Sequence, residues 1–516
     1  MTGALSPHAA ALMQAVAGAL QRGDEAGAEN ALRQLVAENP RQADAWHMLA
    51  GLVIRAGRGA EAIECALRAH QLDRRSPLYL NTLGIAYGEA QQLDEAVRCF
   101  KRSLKELPSR ADTHYNLGKT YTKLGDLKEA QRCYLRAHQL DPERGEIATN
   151  LAELYSRQGR YQEALALIAE ARLRTPDNEV LAINSAMAAL ATSGPEAAIQ
   201  ELEDFLRRMP DSVVVHEELA ARLLAQGRFA EGWREYAWRR TRPPAERTTD
   251  LRGRRVLLLW EQGLGDQLFF LRFAAALRER ATHVAFDCPA KLFPLLEGNE
   301  LVGAVPSGEA PRQDFDVALP VGDLPQALKD SATPAPLRLA ARRAAEWRER
   351  LAALGPAPYL GVTWRAGTEP GHKAEFAAGP DFLYKEIAVA SLAAAVREWR
   401  GTVLVLQRTP RRAEVETFSK ALGRRAHDLS VLNEDLEDIA AVLSLINEYV
   451  GVSNTNMHIR AGLGKTARVL VPFPPEFRWM HAGGESPWFP GLPIYRQTAG
   501  RDWRSVLDLL REDLNR

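Results

Sequence analysis

The chain has 516 residues and balances 66 Asp and Glu against 66 Lys and Arg, so its formal net charge is zero. The length is enough for two to four domains with substantial cores, and zero net charge gives no sign of nucleic-acid or anionic-membrane partners. No run of about 18 apolar residues predicts membrane insertion, and the apolar residues 9–20 lack the basic lead-in of a signal peptide. We therefore expect a cytoplasmic protein.

The first 240 residues repeat with a period of 34. Alanine fills one column of the repeat, cysteine a second, a large apolar residue a third and proline a fourth, and a Leu-(Gly/Ala)-x-x-Tyr stretch recurs at 83, 117 and 151. This pattern resembles the tetratricopeptide repeat (TPR). The columns are Ala62, Ala96, Ala130, Ala164 and Ala198, then Gly232; Cys65, Cys99 and Cys133; Phe100, Tyr134 and Ile168; and Pro108, Pro142, Pro176 and Pro210.

Each TPR is an antiparallel helix pair that buries its apolar face only by stacking on its neighbours, which creates a groove. We expect residues 1–240 to form a TPR superhelix that binds a protein, with weaker units at 8–40 and 211–240 as caps. A spacer or a dimerisation arm is the alternative. Cysteines 34 residues apart predict buried thiols rather than metal ligands. The inner-helix candidates for contacting an extended peptide are Asn81, Asn116 and Asn150.

After a basic run at 239–242, which we interpret as a solvated face, the pattern changes. Short apolar strands alternate with helical patterns, as expected for parallel βαβ units. We predict two Rossmann-like lobes, at 250–345 and 355–516, with a cleft between them. The predicted strands are Arg255 to Trp260, His283 to Cys288, Tyr359 to Trp364, Thr402 to Gln407, Glu448 to Ser453 and Ala467 to Pro472.

Four strand ends carry polar residues: "EQGLGD" (261–266), "WRAGTEPGHK" (364–373) with Lys385 beyond it, "LQRTPRR" (406–412) and "SNTNMH" (453–458). Ligands of open α/β sheets bind at the carboxyl ends of strands, so these four ends predict a phosphate-bearing ligand. Thr455 and Asn456 should open a helix, whose free N–H groups favour an anion. These residue types are also ordinary helix caps, and His458 also fits a buried core position.

The order of the motifs resembles bacterial TPR proteins fused to a glycosyltransferase. The stretches that carry this resemblance are "GRFAEGWREYAWRR", "LLLWEQGLGDQLFFLRF", "GVTWRAG", "VLVLQR" and "SNTNMHIRAGLGKTARVLVPFPPEFRW". The catalytic half is similar to the heptosyltransferases of the GT-B fold, and the overall plan is similar to O-linked N-acetylglucosamine transferase. The resemblance implies a GT-B unit of two Rossmann-like lobes that transfers sugar from a nucleotide-sugar co-substrate, with neither a metal nor another cofactor.

The resemblance also assigns roles to residues. Asp266 matches the family's general base. Gly263 and Gly265 are expected to allow a tight strand-to-helix turn and close approach of the substrate, in a loop that also contains Gln262. Lys385 matches a lysine that contacts the donor phosphate. The donor-binding stretch matches Asn454, Thr455, Asn456 and His458, with Asn454 where the family usually has Asp. This replacement removes a charge, so the donor and the strength of catalysis stay open.

In the hypothetical inverting mechanism, Asp266 accepts the acceptor's proton while the oxygen attacks the anomeric carbon. Lys385, the Thr455 helix start and either Arg365 or Arg408 stabilise the leaving phosphate. The alternatives are a helix-capping role for Asp266 and surface positions for both arginines. Two further groups have two interpretations each. An acidic helix start either contacts the ribose or base of a nucleotide or only stabilises the helix: Glu434, Asp435 and Asp438. Residues of a late loop either line the cleft and stack on the base or pack beneath the loop: Arg478, Trp479, Trp488 and Phe489.

Three functions are compatible with this reading. The chain is a protein O-glycosyltransferase whose groove captures an acceptor such as flagellin, a non-catalytic TPR scaffold with a degenerate transferase lobe, or a transferase that acts on a glycan or lipid-linked acceptor. Its terminal amphipathic segment (501–514) is expected to cross back to the first lobe. The sugar, the nucleotide, the acceptor and the oligomeric state are not encoded in any recognisable motif.

Overall fold

The computed structural model describes residues 7–239, 250–299, 302–328, 335–366 and 385–516. The chain divides into two compact units, Met1–Leu181 and Ala182–Arg516. The sequence pattern placed the boundary near residue 240 instead. In the part of the chain that the structure describes, no helix is both long and apolar enough to cross a membrane.

The helical part consists of antiparallel pairs. First helices of successive pairs start at residues 43, 77, 111, 145, 179 and 213, and second helices at 59, 93, 127, 161, 195 and 229, so the 34-residue period is confirmed. The helices are α1 (Pro7–Gln21), α2 (Glu25–Glu38), α3 (Ala43–Arg55), α4 (Gly59–Leu72), α5 (Pro77–Glu89), α6 (Leu93–Glu106), α7 (Ala111–Leu124), α8 (Leu127–Leu140), α9 (Gly145–Arg157), α10 (Tyr161–Arg172), α11 (Glu179–Thr192), α12 (Pro195–Leu206), α13 (Val213–Ala225) and α14 (Phe229–Tyr236).

The alanine column lies where the helices of each pair meet, and all five alanines are fully buried. The glycines of the inner helices face the column of large residues. A Cβ at Gly84 would lie 2.6 Å from the Phe100 ring, and one at Gly118 would lie 2.8 Å from the Tyr134 ring. Where the inner helix carries Ala152 instead, the large residue is Ile168. A smaller residue on the inner helix is thus matched by a larger one on the second helix, and a larger inner residue by a smaller partner. This keeps the two helices close-packed in each repeat.

The repeated cysteines are buried free thiols, as predicted, and burial raises the pKa of Cys65 and Cys133 to about 11. The inner-helix asparagines bond to neighbouring repeats. Asn116 Nδ2 donates to Asn81 Oδ1 at 3.4 Å, and Asn150 Nδ2 donates to the Tyr115 hydroxyl at 2.7 Å. Asn81 is buried. These contacts join successive inner helices. The asparagine side chains, which were predicted to bond to a bound peptide, therefore already use some of their hydrogen-bonding groups within the solenoid.

The last helix pair, α13 and α14, is not a solvent-facing cap. Trp233 of α14 packs edge-on against Phe270, Phe477 and Trp488, at ring-centre distances of 6.1, 5.6 and 5.9 Å. The basic run that follows begins with Arg239, which is buried rather than solvated. Its guanidinium pairs with Glu261 at 2.6 Å and with Asp323 at 2.8 Å. The remainder of that run, 240–242, lies outside the described residues.

The first α/β lobe is built on a four-stranded parallel sheet of order β3-β2-β1-β4. Both β1 and β2 were predicted. The other two strands, "GAVP" and "VALP", are four residues long and end in proline, so they lack a strand signal. The elements are β1 (Arg255–Leu259), α15 (Leu264–Phe270), α16 (Ala274–Arg278), β2 (His283–Cys288), α17 (Phe293–Leu296), β3 (Gly303–Pro306), β4 (Val317–Pro320) and α18 (Leu324–Leu328).

The second lobe is built on a six-stranded parallel sheet of order β12-β11-β10-β5-β8-β9, beside the antiparallel pair β6-β7. All four predicted strands lie in the six-stranded sheet. The elements are α19 (Ala341–Leu354), β5 (Tyr359–Thr363), β6 (Arg365–Ala366), β7 (Lys385–Glu386), α20 (Val389–Ala395), β8 (Thr402–Val405), α21 (Arg412–Leu422), β9 (His427–Asp428), α22 (Leu436–Leu445), β10 (Glu448–Val452), α23 (Thr455–Gly462), β11 (Arg468–Val471), β12 (Ile494–Arg496) and α24 (Arg504–Leu514).

Two helices differ from the expected division. Helix α19, which the boundary at 345 would cut, packs on α22 in the second lobe, where Trp347 Nε1 donates to Asp438 at 2.9 Å. Helix α24 also packs on the second lobe, since Val506 and Leu510 share a core cluster with Leu392. The terminal helix was expected to cross back to the first lobe. Its main contacts are instead with α20 and β12 of the second lobe.

Candidate functional site

A cavity of about 680 Å³ opens where strand ends of both sheets face each other. All four polar strand ends of the sequence contribute to its lining, although residues 367–373 of the second motif lie outside the described ones. The walls are Gly263, Leu264, Gly265 and Asp266 from the first lobe, and Thr363, Arg365, Ala366, Lys385, Leu406, Gln407, Arg408, Thr409, Arg411, Asn433, Ser453, Asn454, Thr455, Asn456, His458, Glu476 and Arg478 from the second.

The loop after β1 turns for a different reason than the one predicted. Its positive φ, 60°, falls on Gln262, whereas Gly263 has an ordinary φ of −79°. The glycines serve close approach instead. A Cβ at Gly265 would lie 3.2 Å from His458 Cδ2, so glycine lets α15 pack on α23. The amide of Gln262 exchanges hydrogen bonds with the Tyr236 hydroxyl, which fixes the loop to α14 rather than to a substrate.

Asp266 has the capping contact considered for it and also lines the cavity. It lies in the first turn of α15, and its Oδ2 accepts a hydrogen bond from the Gly263 N–H at 3.1 Å. Its other oxygen, Oδ1, pairs with Arg478. The side chain keeps 28% of its surface exposed and lines the cavity. The carboxylate therefore stabilises the turn while one edge faces the space for a ligand.

Helix α23 begins at Thr455, as predicted, and Asn454 is its N-cap. Asn454 Oδ1 accepts from the Met457 N–H at 3.3 Å, and Asn454 Nδ2 donates to Thr363 Oγ1 at 2.9 Å. The Tyr449 hydroxyl also bonds to this amide. Both ends of Asn454 are thus engaged by protein, so its assigned contact with the donor would require this network to rearrange.

His458 is buried and edge-on to the rings of Phe269 and Phe489. Burial, together with the nearby charges of Arg478, Arg272 and Lys385, holds its pKa well below the ordinary value. A neutral imidazole is expected throughout the physiological pH range. The core interpretation of His458 is correct, and the side chain also contributes to the cavity lining.

Lys385 lies at the cavity wall. Its Nζ donates to the Ser453 carbonyl at 3.1 Å and pairs with Glu476. Glu476 also contacts Arg478 Nη1 at 3.3 Å. Burial alone would raise the pKa of Glu476, but the charges of Lys385 and Arg478 outweigh burial and lower it. Sequence reasoning missed Glu476, although "PPEFRW" places two opposite charges in an otherwise apolar loop.

The two candidate arginines have different environments. Arg365 is buried, pairs with Glu414 and donates to the Thr409 carbonyl at 2.8 Å, so the surface interpretation is wrong for it. Arg408 is exposed at the cavity rim. In the cavity, the guanidinium of Arg408 is exposed to solvent, whereas that of Arg365 is held in place by Glu414 and the Thr409 carbonyl.

The remaining candidates serve local structure. Asp435 caps α22 by accepting from the N–H groups of Glu437 and Asp438, and Glu434 pairs with Lys291 at 3.0 Å. These contacts confirm the acidic helix start. The late-loop aromatics form core instead of a stacking platform for a base. Trp479 lies over Phe489 with ring centres 4.6 Å apart, and Trp488 is 1% exposed.

Comparison with known proteins identifies the helical part. Models described as tetratricopeptide repeat match residues 19–84, 81–130 and 109–172. The N-terminal part of this chain therefore carries TPRs, a class of repeat that typically mediates protein interaction.

A curated relative, protein FlbA of Caulobacter vibrioides, is 26% identical over 344 residues, which cover 58% of this chain and 55% of FlbA. This chain thus spans about half the length of that relative. The helical pairs end at Tyr236 and so make up less than half of the chain, whereas the similarity to FlbA covers 58% of it. The similarity therefore extends into the α/β part.

Solved TPR structures are also similar to this chain. Pseudomonas aeruginosa PilF is 21% identical with a TM-score of 0.36, covering 39% of this chain and 92% of its own. TTC0263, a thermophilic TPR protein of Thermus thermophilus, is 25% identical with a TM-score of 0.32, covering 35% and 99%. YrrB, described as having an unusual peptide-binding site, is 21% identical with a TM-score of 0.31, covering 36% and 95%.

Proposed function

We propose that this chain is a glycosyltransferase of the GT-B type, which transfers sugar from a nucleotide sugar to a hydroxyl group of a protein recruited by its TPRs. The observation that carries the proposal is the cavity itself. The first lobe lines it with the carboxylate of Asp266, and the second lobe lines it with Lys385, Arg478 and the first turn of α23. A carboxylate able to accept a proton thus lines the same cavity as groups able to bind a phosphate.

The geometry supports a direct displacement. Asp266 accepts the proton of the acceptor hydroxyl, whose oxygen forms a bond to the anomeric carbon. The bond from that carbon to the phosphate oxygen breaks, and the nucleoside diphosphate leaves with its electron pair. Lys385, Arg478 and the N–H groups at Thr455 and Asn456 stabilise the charge that develops. One such fixed donor typically contributes about 3 kcal/mol to lowering the barrier.

The acceptor is proposed to be a protein because the TPRs occupy the N-terminal part of the same chain and this class of repeat typically binds protein segments. A groove of stacked inner helices presents long surfaces to an extended segment. A glycan or lipid-linked acceptor would leave the repeats without a role in substrate capture. Deleting the repeat helices up to Arg172 should then leave the transfer rate to the acceptor unchanged.

One observation favours a non-catalytic alternative. Asp266 is already held by Arg478 and by the Gly263 N–H, and both ends of Asn454 are engaged. A chain that bound a nucleotide sugar without transferring the sugar would not need Asp266 to leave these partners. In this alternative the second half is a nucleotide-sugar-binding scaffold.

The deciding experiment compares Asp266→Asn with Asp287→Asn. Asp287 is a carboxylate of the same lobe that also accepts one backbone N–H, from Gly308 at 2.9 Å, and is not part of the cavity wall. Purified proteins are incubated with a panel of nucleotide sugars and candidate acceptor proteins, and products are identified by mass spectrometry. We expect Asp266→Asn to slow transfer by about 10²–10⁴-fold, and Asp287→Asn to retain the parental rate. Equal rates for Asp266→Asn and the parent would refute the assigned base. Nucleotide-sugar binding without product from the parent chain would establish the scaffold.

A further inference from the structure

Glu476 places a carboxylate inside the cavity wall between two cations. Its side chain is 12% exposed. One oxygen, Oε1, pairs with Lys385 Nζ, and the other, Oε2, lies 3.3 Å from Arg478 Nη1. Ser453 Oγ donates to Oε2 at 3.4 Å. Both oxygens of Glu476 are therefore engaged by the strand ends and loop that line the cavity.

Arg478 is shared between two carboxylates. While Nη1 faces Glu476, Nη2 pairs with Asp266 Oδ1. The four groups thus form a line of alternating charge in the order Lys385, Glu476, Arg478 and Asp266. This line runs from the second lobe to the first helix of the first lobe, α15.

The donors in this line are of the kind that bind phosphate. An ammonium and a guanidinium make charge-assisted hydrogen bonds to carboxylate and phosphate oxygens alike. Two buried cations would also repel each other without an anion between them. Glu476 supplies that anion, so a phosphate group that reaches Lys385 and Arg478 competes with it.

We infer that Glu476 is an internal counter-ion that positions Lys385 and Arg478 for a diphosphate and weakens anion binding until the diphosphate displaces it. This inference rests on the proposed function and deepens it, since it makes Glu476 the group that the diphosphate must displace from Lys385 and Arg478. It also links donor binding to the base. A diphosphate that draws Arg478 away releases Asp266 Oδ1 for the acceptor hydroxyl.

The test measures binding of inorganic pyrophosphate and of UDP, GDP and ADP to the full chain by isothermal titration calorimetry. Glu476→Gln keeps the size of the side chain and removes its charge. We expect it to bind pyrophosphate about tenfold more tightly than the parent, because the anion no longer competes with a carboxylate. The matched control is Glu448→Gln. Glu448 is the first residue of β10, its carboxylate pairs with Arg468, and it is not among the residues that line the cavity. Its affinity should equal that of the parent.

A residue that only supported the local structure would not produce a gain in affinity. Equal or weaker pyrophosphate binding by folded Glu476→Gln overturns the inference. If this variant does not fold, Glu476→Asp, which draws the carboxylate back by one methylene, should bind about threefold more tightly, and parental or weaker affinity overturns the inference again. A parent chain that binds neither pyrophosphate nor any of the three nucleotides refutes the proposed function as well. Parental binding without a gain in the variants refutes only the role of Glu476.

Discussion

The solenoid and the cavity-bearing α/β region hold their key side chains by different means. In the repeats, each critical contact joins residues at a fixed spacing, such as Gly84 with Phe100 and Gly118 with Tyr134. In the α/β region, the decisive pairs join distant segments, such as Asp266 with Arg478 and Lys385 with Glu476. Periodic contacts follow from a local rule that the sequence repeats. The charge pairs exist only after the chain has brought separate loops together.

The largest effect is expected at a long-range ion pair. Arg239→Met leaves Glu261 and Asp323 buried without their guanidinium, so we expect a loss of about 3–5 kcal/mol in the free energy of unfolding. Urea denaturation followed by tryptophan fluorescence measures this loss. The control is Arg342→Met, whose side chain is 91% exposed beside Glu346 and should change stability by about 0.5 kcal/mol or less. A loss below about 1 kcal/mol for Arg239→Met would show that the pair is dispensable.

A smaller effect is expected from one added methyl group in the repeats. Gly84→Ala places a Cβ against the Phe100 ring and should cost about 1–3 kcal/mol through overpacking. Gly88→Ala is the matched control, because it lies in the same helix with open space around its Cβ. That change should be neutral or stabilise by up to about 1 kcal/mol. Thermal unfolding followed by circular dichroism compares the two variants. Similar melting temperatures for both would contradict the close packing of Gly84.

The smallest effect concerns pH. Because the pKa of His458 is lowered in the folded chain, the unfolded chain binds the extra proton first as the pH falls below the ordinary value of 6.5. Stability is therefore lost as the pH decreases below about 6.5, by up to about 1.4 kcal/mol per pH unit. Measured between pH 7.5 and 5.5, the parent should lose about 1.4 kcal/mol more than His458→Gln, which does not titrate. Other histidines contribute equally to both chains. An identical loss for parent and variant would refute a neutral, buried His458.

The sequence predicted what short-range patterns determine. The 34-residue period, all six proposed strands and the start of α23 at Thr455 are present. The burial of Cys65 and its equivalents followed from the same periodicity. Asp266 lines the cavity because the loop and the first helical turn that follow a parallel strand lie at the carboxyl edge of the sheet.

The sequence did not reveal features that depend on tertiary contact. Arg239 was assigned to solvent because its partners, Glu261 and Asp323, lie in other segments. Glu476 was overlooked for the same reason. The tight turn after β1 was assigned to Gly263 and Gly265, since residue type alone favours glycine in a turn, whereas the positive φ falls on Gln262. Strands β3 and β4 were missed because their prolines and short length give no alternation to detect.

The packing of Trp233 has a consequence for the way this chain can be divided. A cut near residue 240, where the sequence changes character, would remove Trp233 from its packing against Phe270, Phe477 and Trp488. The boundary between compact units lies earlier, between Leu181 and Ala182. The final helical pairs follow the repeat in their sequence but fold as part of the α/β unit, so exchanging repeats between related chains should succeed only upstream of that boundary.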